Sequence, residues 1–333
     1  MKLSSAVLGL GLSLFAPLAL HAEPATLKLA FFASSKEVNY AMVIKPWVDA
    51  VNADPANAVK IEAFPDGALG KNIQAQPQMI LDGVADIAWV NPSLVPGRFA
   101  KDQVLELPGL VKNIGDGIKL YSGLLEQGLL PGYDDYKVIG AFTNPPYHIF
   151  SRKPIERLED LAGQKVRIVG PMVGQTVQSF GMVPVLMPPP EVVEAIGRGS
   201  IDAATFVPAA LIDFGADRVT TTDYLLPLGA GPLTLLMSAQ KYKALSPEAR
   251  QVLDKYSGSW IQDLYLREVT RYNQDVITRL RADPKRKVID VAKDDQPKID
   301  ATYQSVTSAW AAQSSENASL LEKARAILAA SGN

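Results

Sequence analysis

The sequence contains no cysteine and only two histidines among its 333 residues. Without cysteine there is no thiol nucleophile, no cysteine-ligated metal and no iron–sulfur cluster. His148 is the only histidine after residue 22, so a histidine-rich zinc site cannot be built. No serine lies in the G-x-S-x-G motif of many hydrolases. Composition therefore argues against an enzyme, and we expect neither a cofactor nor a metal.

The chain also lacks a block of basic residues. Its formal net charge is −2, and lysine, arginine, aspartate and glutamate are spread along the sequence. Binding to nucleic acid normally needs a concentrated positive patch. We therefore expect no nucleic-acid partner.

A long hydrophobic run occurs only near the start of the chain. Lys2 followed by apolar residues from Ala6 to Leu20 is typical of a secretory signal peptide. We expect residues 1–22 to be that signal, with cleavage near Ala22. No later stretch reaches the roughly 20 apolar residues of a membrane-spanning helix. The sequence therefore predicts an exported protein that does not itself span the membrane.

Strand-like and helix-like segments alternate after the signal. The segments 27–33, 60–65 and 85–91 have β-type composition, and the residues between them show helical spacing of apolar side chains. This alternation is typical of βαβ units with a mostly parallel sheet. The pattern restarts after residue 135, and a chain of roughly 310 residues is near the size at which one core divides into two. We therefore predict an α/β protein with two domains.

The segment from Ser246 to Pro284 predicts an unusually long helix. Ser246, Pro247 and Glu248 form a helix start, and no proline follows until Pro284. Gly258 would cost only about 1 kcal/mol relative to alanine. One helix of some 35 residues would span about 50 Å, more than the width of one domain. We expect it to brace both domains.

Four segments together resemble the periplasmic solute-binding proteins of TRAP (tripartite ATP-independent periplasmic) transporters, of the dicarboxylate-binding-protein type. They are FPDGALGK at 64–71 with MILDGVADIAWV at 79–90, SRKPIERLEDLAGQKVRIVG at 151–170, GMVPVLMPPPEVVEAIGRGSIDA at 181–203, and the long helix that begins with LSPEARQVLD. The resemblance covers essentially the whole chain after the signal.

The resemblance implies a fold, a location and partners. It implies two α/β domains around a cleft that closes on a ligand by hinge motion, in the periplasm, and delivery of the ligand to the membrane permease subunits. We expect domain I to hold residues 24–143 and 232–271, and domain II to hold residues 144–231 and 272–333. The hinge would then lie near Asn144 and Gly231.

Arg167 is the strongest candidate for a binding residue. It lies between Val166 and Ile168 in a predicted strand, where a buried guanidinium needs an anionic partner. Its planar fork of donors matches a carboxylate. The residues alone leave an internal aspartate or glutamate, or an exposed edge strand, as alternatives. In the family, the arginine of this K-x-R-V/I strand pairs with a ligand carboxylate, so the resemblance implies that role for Arg167.

The resemblance also points to an aromatic pocket around Arg167. Tyr147 stands where several relatives carry a second arginine, Phe206 where relatives with polar ligands often have asparagine, and Asn91 where an acid is common. One arginine among aromatic residues favours a monocarboxylate with an apolar or aromatic body, because a dicarboxylate would leave one charge without a cation. Alternatively, the aromatic residues fill the two cores. The other members of the expected set are Phe31, Phe32, Trp89 and His148.

The predicted function is capture of a small organic acid without chemistry, followed by delivery to a TRAP permease. His148 either binds a ligand oxygen or is packed inside the protein with its hydrogen bonds satisfied there. The alternatives are a secreted α/β enzyme with His148 as base, a receptor for an ABC transporter or a sensor kinase, and a dicarboxylate binder of the same family. Lys36 and Glu37 are predicted to be surface charges at a helix start.

Overall fold

A computed structural model describes residues 23–330. The predicted signal peptide, residues 1–22, lies outside the described residues. Within the described part of the chain, no helix combines the length and the apolar character that a bilayer crossing requires.

The described residues form eleven strands and eleven α-helices. The strands are β1 Ala25–Ala30, β2 Val59–Phe64, β3 Ile87–Val90, β4 Tyr136–Thr143, β5 His148–Ser151, β6 Lys165–Ile168, β7 Val183–Leu186, β8 Ala203–Phe206, β9 Thr222–Leu225, β10 Pro232–Ser238 and β11 Lys287–Asp290. The helices are α1 Lys45–Asn52, α2 Gln76–Leu81, α3 Ile114–Glu126, α4 Pro171–Ser179, α5 Val192–Gly197, α6 Pro208–Asp213, α7 Ala239–Ala244, α8 Pro247–Tyr256, α9 Ser259–Ala282, α10 Gln296–Ala311 and α11 Ser315–Ala329.

The first sheet has the strand order β2-β1-β3-β10-β4. Strands β1, β2 and β3 are parallel, and β10 runs antiparallel to both β3 and β4. Side chains alternate across it: Ile87 and Trp89 of β3 pack on one face, and Ala88 and Val90 pack on the other. Helices therefore cover both faces, as expected for an α/β unit. We call this sheet with its helices the first lobe.

The second sheet has the strand order β11-β9-β5-β8-β6-β7. Strand β6 is parallel to β7 and β8, whereas β5 is antiparallel to β8 and β9. Val166 and Ile168 of β6 are buried in one core, and Phe150 and Phe206 lie in the core on the other face. We call this sheet with its helices the second lobe. The expected α/β fold with two domains is confirmed.

Within the described residues the chain crosses between the sheets three times, and the first two crossings are neighbours. It leaves the first sheet after Thr143 and returns to it at Pro232. The two crossing segments are hydrogen-bonded to each other, since the Asn144 N–H donates to the Gly231 carbonyl at 2.9 Å and the Tyr147 N–H donates to the Gly229 carbonyl at 2.8 Å. The predicted domain boundaries and hinge stay predictions.

The predicted continuous helix of some 35 residues is wrong. Helix α8 ends at Tyr256 and α9 begins at Ser259, with Gly258 between them at φ 58° and ψ −124°. The Gly258 N–H donates to the Ile139 carbonyl of β4 at 2.8 Å, and the Trp47 indole N–H donates to the Tyr256 carbonyl at 3.0 Å. These tertiary hydrogen bonds replace the helical ones and end α8.

Helix α9 nevertheless braces both lobes. Ile261, Tyr265 and Val269 pack in the core of the first lobe, and Val276 and Leu280 pack in the core of the second. The buried positions recur every three or four residues, so they form one stripe along the helix. A helix of 24 residues spans roughly 36 Å. The expectation of a helix that braces two domains is confirmed for α9.

The last helix packs on the first lobe, whereas our domain assignment, which stays a prediction, places residues 272–333 in domain II. Leu320, Leu321 and Ala324 of α11 share a core with Leu120 and Leu124 of α3, in the first lobe. Helix α10 lies between the lobes, because its first half contributes to the core of the second lobe and its last turns contribute to the core of the first. The apolar face of α11 covers α3, so α11 belongs with the first lobe.

Candidate functional site

Strand β6 holds Arg167 on the face opposite to its two neighbours. Val166 and Ile168 point into the core that contains α4 residues, so the alternation of a strand directs Arg167 to the other face. The side chain is only 1% exposed. Its guanidinium lies 4.8 Å from the centre of the Phe206 ring, within the range of a cation–π contact. The strand therefore fixes both the position and the environment of this charge.

Two backbone carbonyls orient the guanidinium of Arg167. Nε donates to the Met187 carbonyl at 2.9 Å and Nη1 donates to the Thr205 carbonyl at 2.9 Å. Nη2 has no hydrogen-bond partner within residues 23–330. Burial lowers the pKa of Arg167 to about 10, and the nearby Tyr147 opposes this shift. The group stays protonated at neutral pH, and one edge of its fork is open.

No acidic side chain of the described part forms an ion pair with Arg167. The nearby ionisable group that affects it is the phenol of Tyr147, which burial keeps neutral by raising its pKa. An unpaired buried charge is costly. The structure thus removes both alternatives that the sequence left open, an internal acid partner and an exposed edge strand.

Arg167 borders a cavity that lies between the two lobes, which we call the inner cavity. Its volume is about 70 Å³. This volume is the space open to the centres of water molecules, and one buried water needs roughly 10–15 Å³ of it. The cavity therefore has room for about five water molecules or for a small organic acid of similar bulk. Six of the eight residues predicted from the sequence line it: Phe32, Trp89, Asn91, Tyr147, Arg167 and Phe206.

Aromatic rings make rigid walls for the inner cavity. The Trp89 ring stacks on Phe142 with centroids 5.5 Å apart, and Phe142 stacks on Tyr265 at 4.5 Å. On the other side, Phe206 stacks on Phe214 at 6.2 Å. Phe31, by contrast, packs in the core of the first lobe and is not part of the lining. The aromatic residues therefore serve both the core and the cavity.

The polar residues Asn91 and Tyr147 are held by local hydrogen bonds. The Asn91 Oδ1 accepts from the Ser93 N–H at 3.1 Å, which caps a short helical turn. The Tyr147 hydroxyl accepts from the Asn144 Nδ2 at 3.2 Å. Neither residue supplies a positive charge, so Arg167 is the one cationic residue that lines the inner cavity among residues 23–330.

The structure does not bring His148 to the inner cavity. It pairs with Phe206 across strands β5 and β8, and it is not among the lining residues. Burial lowers the pKa of His148 to about 4, and its Nδ1 has no hydrogen-bond partner in the described part of the chain. The imidazole is therefore neutral at pH 7 and a weak base.

The prediction that Glu37 is a surface charge is wrong. Its side chain is 7% exposed and lines the inner cavity. Its Oε2 accepts from the backbone N–H of Asn39 at 2.9 Å and of Tyr40 at 3.3 Å. Burial, together with the neighbouring charge of Asp213, raises the pKa of Glu37 to about 8. The hydrogen bonds from Asn39 and Tyr40, in each of which Glu37 is the acceptor, oppose this shift.

Four polar residues of the lining are absent from the sequence-based set: Glu37, Asn39, Asn144 and Asn273. Asn273 lies in the middle of α9, where its Oδ1 accepts from the Ala209 N–H of α6 at 2.9 Å. An acid and an asparagine before a helix usually act as caps in solvent. No local signal therefore distinguishes Glu37 and Asn39 from exposed capping residues.

A larger cleft leads from the inner cavity to the surface, and we call it the outer cleft. Its volume is about 750 Å³, and Phe32, Glu37, Ile73 and Phe214 border both spaces. At this neck the Val38 N–H of the first lobe donates to the Asp213 Oδ2 of the second lobe at 3.2 Å. A hydrogen bond between the lobes thus lies at the neck of the inner cavity.

The sequence is similar to those of known proteins. The sequence model of the family described as "Bacterial extracellular solute-binding protein, family 7" matches residues 29–314. The chain is 25% identical over 260 residues to the 2,3-diketo-L-gulonate-binding periplasmic protein YiaO of Escherichia coli (strain K12), and the match covers 76% of this chain and 78% of that protein.

Solved structures share the fold. One is a TRAP solute-binding protein from a marine metagenome, specific for aromatic acid ligands and bound to metahydroxyphenylacetate, with a TM-score of 0.85, 23% identity and coverage of 93% of this chain and 100% of that chain. Another is a TRAP solute-binding protein from Rhodoferax ferrireducens T118 with copurified benzoate, with a TM-score of 0.82, 23% identity and coverage of 92% and 98%.

Proposed function

Because the chain belongs to the bacterial extracellular solute-binding proteins of family 7, we propose that its inner cavity binds a small monocarboxylate with an apolar or aromatic body. The protein would act as the periplasmic receptor of a TRAP transporter and deliver this acid to the membrane permease subunits. Family membership supports the periplasmic location and the permease partners.

The observation that carries the proposal is the open edge of Arg167. A buried guanidinium with two of its nitrogens bound to carbonyls and Nη2 without a partner in residues 23–330 is suited to a carboxylate oxygen. Charge-assisted hydrogen bonds of this kind are short and strong. Because Arg167 is buried, the attraction between the two charges is also larger than at a surface.

The rest of the lining favours one carboxylate over two. Trp89, Phe32 and Phe206 offer apolar surface, and burial of apolar area contributes about 25 cal/mol per Å². Among the described residues that line the inner cavity, a second carboxylate would meet no second cation, and it would lie near Glu37. The ligands of the two solved relatives, metahydroxyphenylacetate and benzoate, are acids of the proposed kind.

Binding without chemistry fits the site better than catalysis. The enzyme alternative needed His148 as a base, but His148 lies outside the lining and its pKa is lowered to about 4. We therefore propose that the bound acid leaves unchanged.

Calorimetry on the chain without residues 1–22 tests the ligand class. Benzoate and phenylacetate should bind more tightly than succinate and malate, because Arg167 can compensate only one ligand carboxylate. A ligand at a hundredfold excess over its Kd should also raise the unfolding free energy by about 2.7 kcal/mol in a thermal-shift assay. Tighter binding of the dicarboxylates would refute the proposal, and conversion of the bound acid, followed by mass spectrometry, would favour an enzyme.

A further inference from the structure

Two lining residues of the inner cavity have a buried polar atom without a partner. One atom is Nη2 of Arg167, a donor, and the other is Oδ1 of Asn39, an acceptor. The remaining buried side-chain atoms without partners belong to residues that do not line this cavity. Unpaired buried polar atoms are uncommon in native proteins, so two such atoms on residues that line one cavity point to groups on a ligand.

The two atoms belong to opposite walls. Arg167 lies on β6 in the second lobe, whereas Asn39 immediately precedes the helical turn Tyr40–Ile44 that leads into α1 in the first lobe. A ligand that fills the cavity can therefore contact both residues with different parts of its body. The carboxylate accounts for Nη2 and leaves Oδ1 for another group.

Glu37 fixes the side chain of Asn39. The Asn39 Nδ2 donates to the Glu37 Oε1 at 2.6 Å, and the Asn39 backbone N–H donates to the Glu37 Oε2 at 2.9 Å. With the NH₂ group of the amide bound to Glu37, its oxygen is the free end. An amide oxygen accepts hydrogen bonds and cannot donate them. The group that meets Asn39 must therefore be a donor.

We propose that Asn39, positioned by Glu37, is a second recognition residue, and that the ligand is a monocarboxylate whose body carries a hydrogen-bond donor, most simply a hydroxyl group. This inference rests on the proposed function, since it takes the carboxylate to lie on Arg167. It adds a requirement for a hydrogen-bond donor on the part of the ligand that meets Asn39. The aromatic walls alone would not impose this requirement.

The same arrangement excludes some related acids. A second carboxylate carries no proton to donate and would meet the Asn39 oxygen and the Glu37 carboxyl. A methoxy group fills the space of a hydroxyl but can only accept. Discrimination among ligand bodies of similar size therefore depends on the presence of a donor.

The test is calorimetry with sets of acids that differ in one group. Benzoate and phenylacetate are compared with their hydroxyl, methoxy and carboxyl derivatives at each ring position, together with mandelate. At one position the hydroxyl acid should bind about tenfold more tightly than the unsubstituted acid, which corresponds to about 1.4 kcal/mol. The methoxy and carboxyl derivatives at that position should bind no better than the unsubstituted acid.

Variants then assign the preference to one residue. Asn39→Ala should lose the preference for the hydroxyl acid, so that the hydroxyl acid and the unsubstituted acid bind this variant with similar affinity. The matched control is Asn72→Ala, because Asn72 lines the outer cleft only and its loss should leave the preference intact. Melting curves without ligand check that both variants fold, and the panel on the parent protein stands independently of them.

Several results would overturn the inference. They are the absence of any hydroxyl preference, equal binding of a methoxy and a hydroxyl acid, and a preference that persists in Asn39→Ala. If unsubstituted acids bind through Arg167 without a hydroxyl preference, this inference fails and the proposed function stands. If no monocarboxylate binds, or if Arg167→Ala binds as well as the parent, the proposed function fails and this inference fails with it.

Discussion

The guanidinium of Arg167 is the residue on which binding is expected to depend most. It is fixed by the carbonyls of Met187 and Thr205 and by the ring of Phe206, so little side-chain entropy remains to be lost when a ligand arrives. Its internal hydrogen bonds also give it a structural role, which the sequence did not indicate.

Changing Arg167 to alanine should weaken binding of benzoate or phenylacetate by roughly 2–5 kcal/mol, because it removes one partner of a buried charge pair. Arg167→Lys should recover only part of this, since an ammonium is a point charge and not a fork. Two hydrogen bonds to carbonyls are also lost, so a modest fall in melting temperature is expected, at about 1 kcal/mol for each bond. Calorimetry with melting curves of the unliganded variants measures both effects.

A matched variant separates charge from packing. Phe206→Leu removes the ring beneath the guanidinium and keeps Arg167, so it should cost less affinity than Arg167→Ala. Equal affinity of Arg167→Ala and the parent would show that the carboxylate lies elsewhere.

How far the site could be predicted differs between residues. Arg167 stands out because a charged residue in an apolar strand conflicts with its neighbours, and the surrounding motif assigns it a role. Glu37 and Asn39 give no such signal, because an acid and an amide before a helix are ordinary. Their burial follows from the approach of the second lobe, through the contact of Asp213 with Val38, which a local pattern does not contain.

The junction between α8 and α9 shows how tertiary contacts override helix propensity. Every local signal from Ser246 to Asp283 is compatible with one helix, and the cost of glycine is small. The break arises because the Gly258 N–H donates to the Ile139 carbonyl of β4, and the Trp47 indole N–H of α1 donates to the Tyr256 carbonyl. The existence, type and bracing role of α9 could be predicted from sequence, whereas its first residue could not.

The sign of the stability change caused by Gly258→Ala tests whether the chain breaks between α8 and α9. In a continuous helix this change would stabilise the protein by about 1 kcal/mol. At φ 58° and ψ −124° it should instead destabilise it by roughly 1–3 kcal/mol, because an L-residue is strained there. An added Cβ would meet no atom within 4 Å, so the effect is one of backbone strain.

Gly197→Ala is the control for that change. Gly197 lies in α5, and an added Cβ there also meets nothing within 4 Å. This variant should be neutral or slightly stabilising in urea unfolding. A stabilising Gly258→Ala would mean that α8 and α9 form one helix after all.

At the scale of the whole molecule, three buried carboxyl groups among residues 23–330 have strongly raised pKa values. Burial raises the pKa of Glu37 to about 8, and those of Asp102 and Glu106 to about 7. Glu106 belongs to the first lobe, and its oxygens lie against Gly170 at the start of α4 in the second lobe. Protonation of these carboxyl groups therefore affects the contact between the lobes as well as the stability of each core.

Stability should rise as the pH falls from 8 to 6.5. In this window the folded chain binds more protons than the unfolded chain, whose carboxyl groups titrate near 4, so the free energy of unfolding decreases with increasing pH. His148 acts in the opposite direction because its folded pKa is about 4, but its effect fades above its unfolded value of 6.5 as the unfolded chain loses this proton too. Melting temperatures at pH 6.5, 7.25 and 8 measure the slope.

Glu106→Gln should flatten this dependence, since the amide does not titrate. A melting temperature that is constant or increases between pH 6.5 and 8 would contradict the assignment of these three groups.

The position of β10 has a consequence for the order in which the protein can be made. This strand lies between β3 and β4, yet it follows β5 to β9 of the other sheet along the chain. A nascent chain that ends at residue 231 therefore has β3 and β4 with unpaired edges, which favour association with other chains. The first lobe can be completed only after most strands of the second have been synthesised, and a fragment cut at residue 231 would aggregate instead of forming half a receptor.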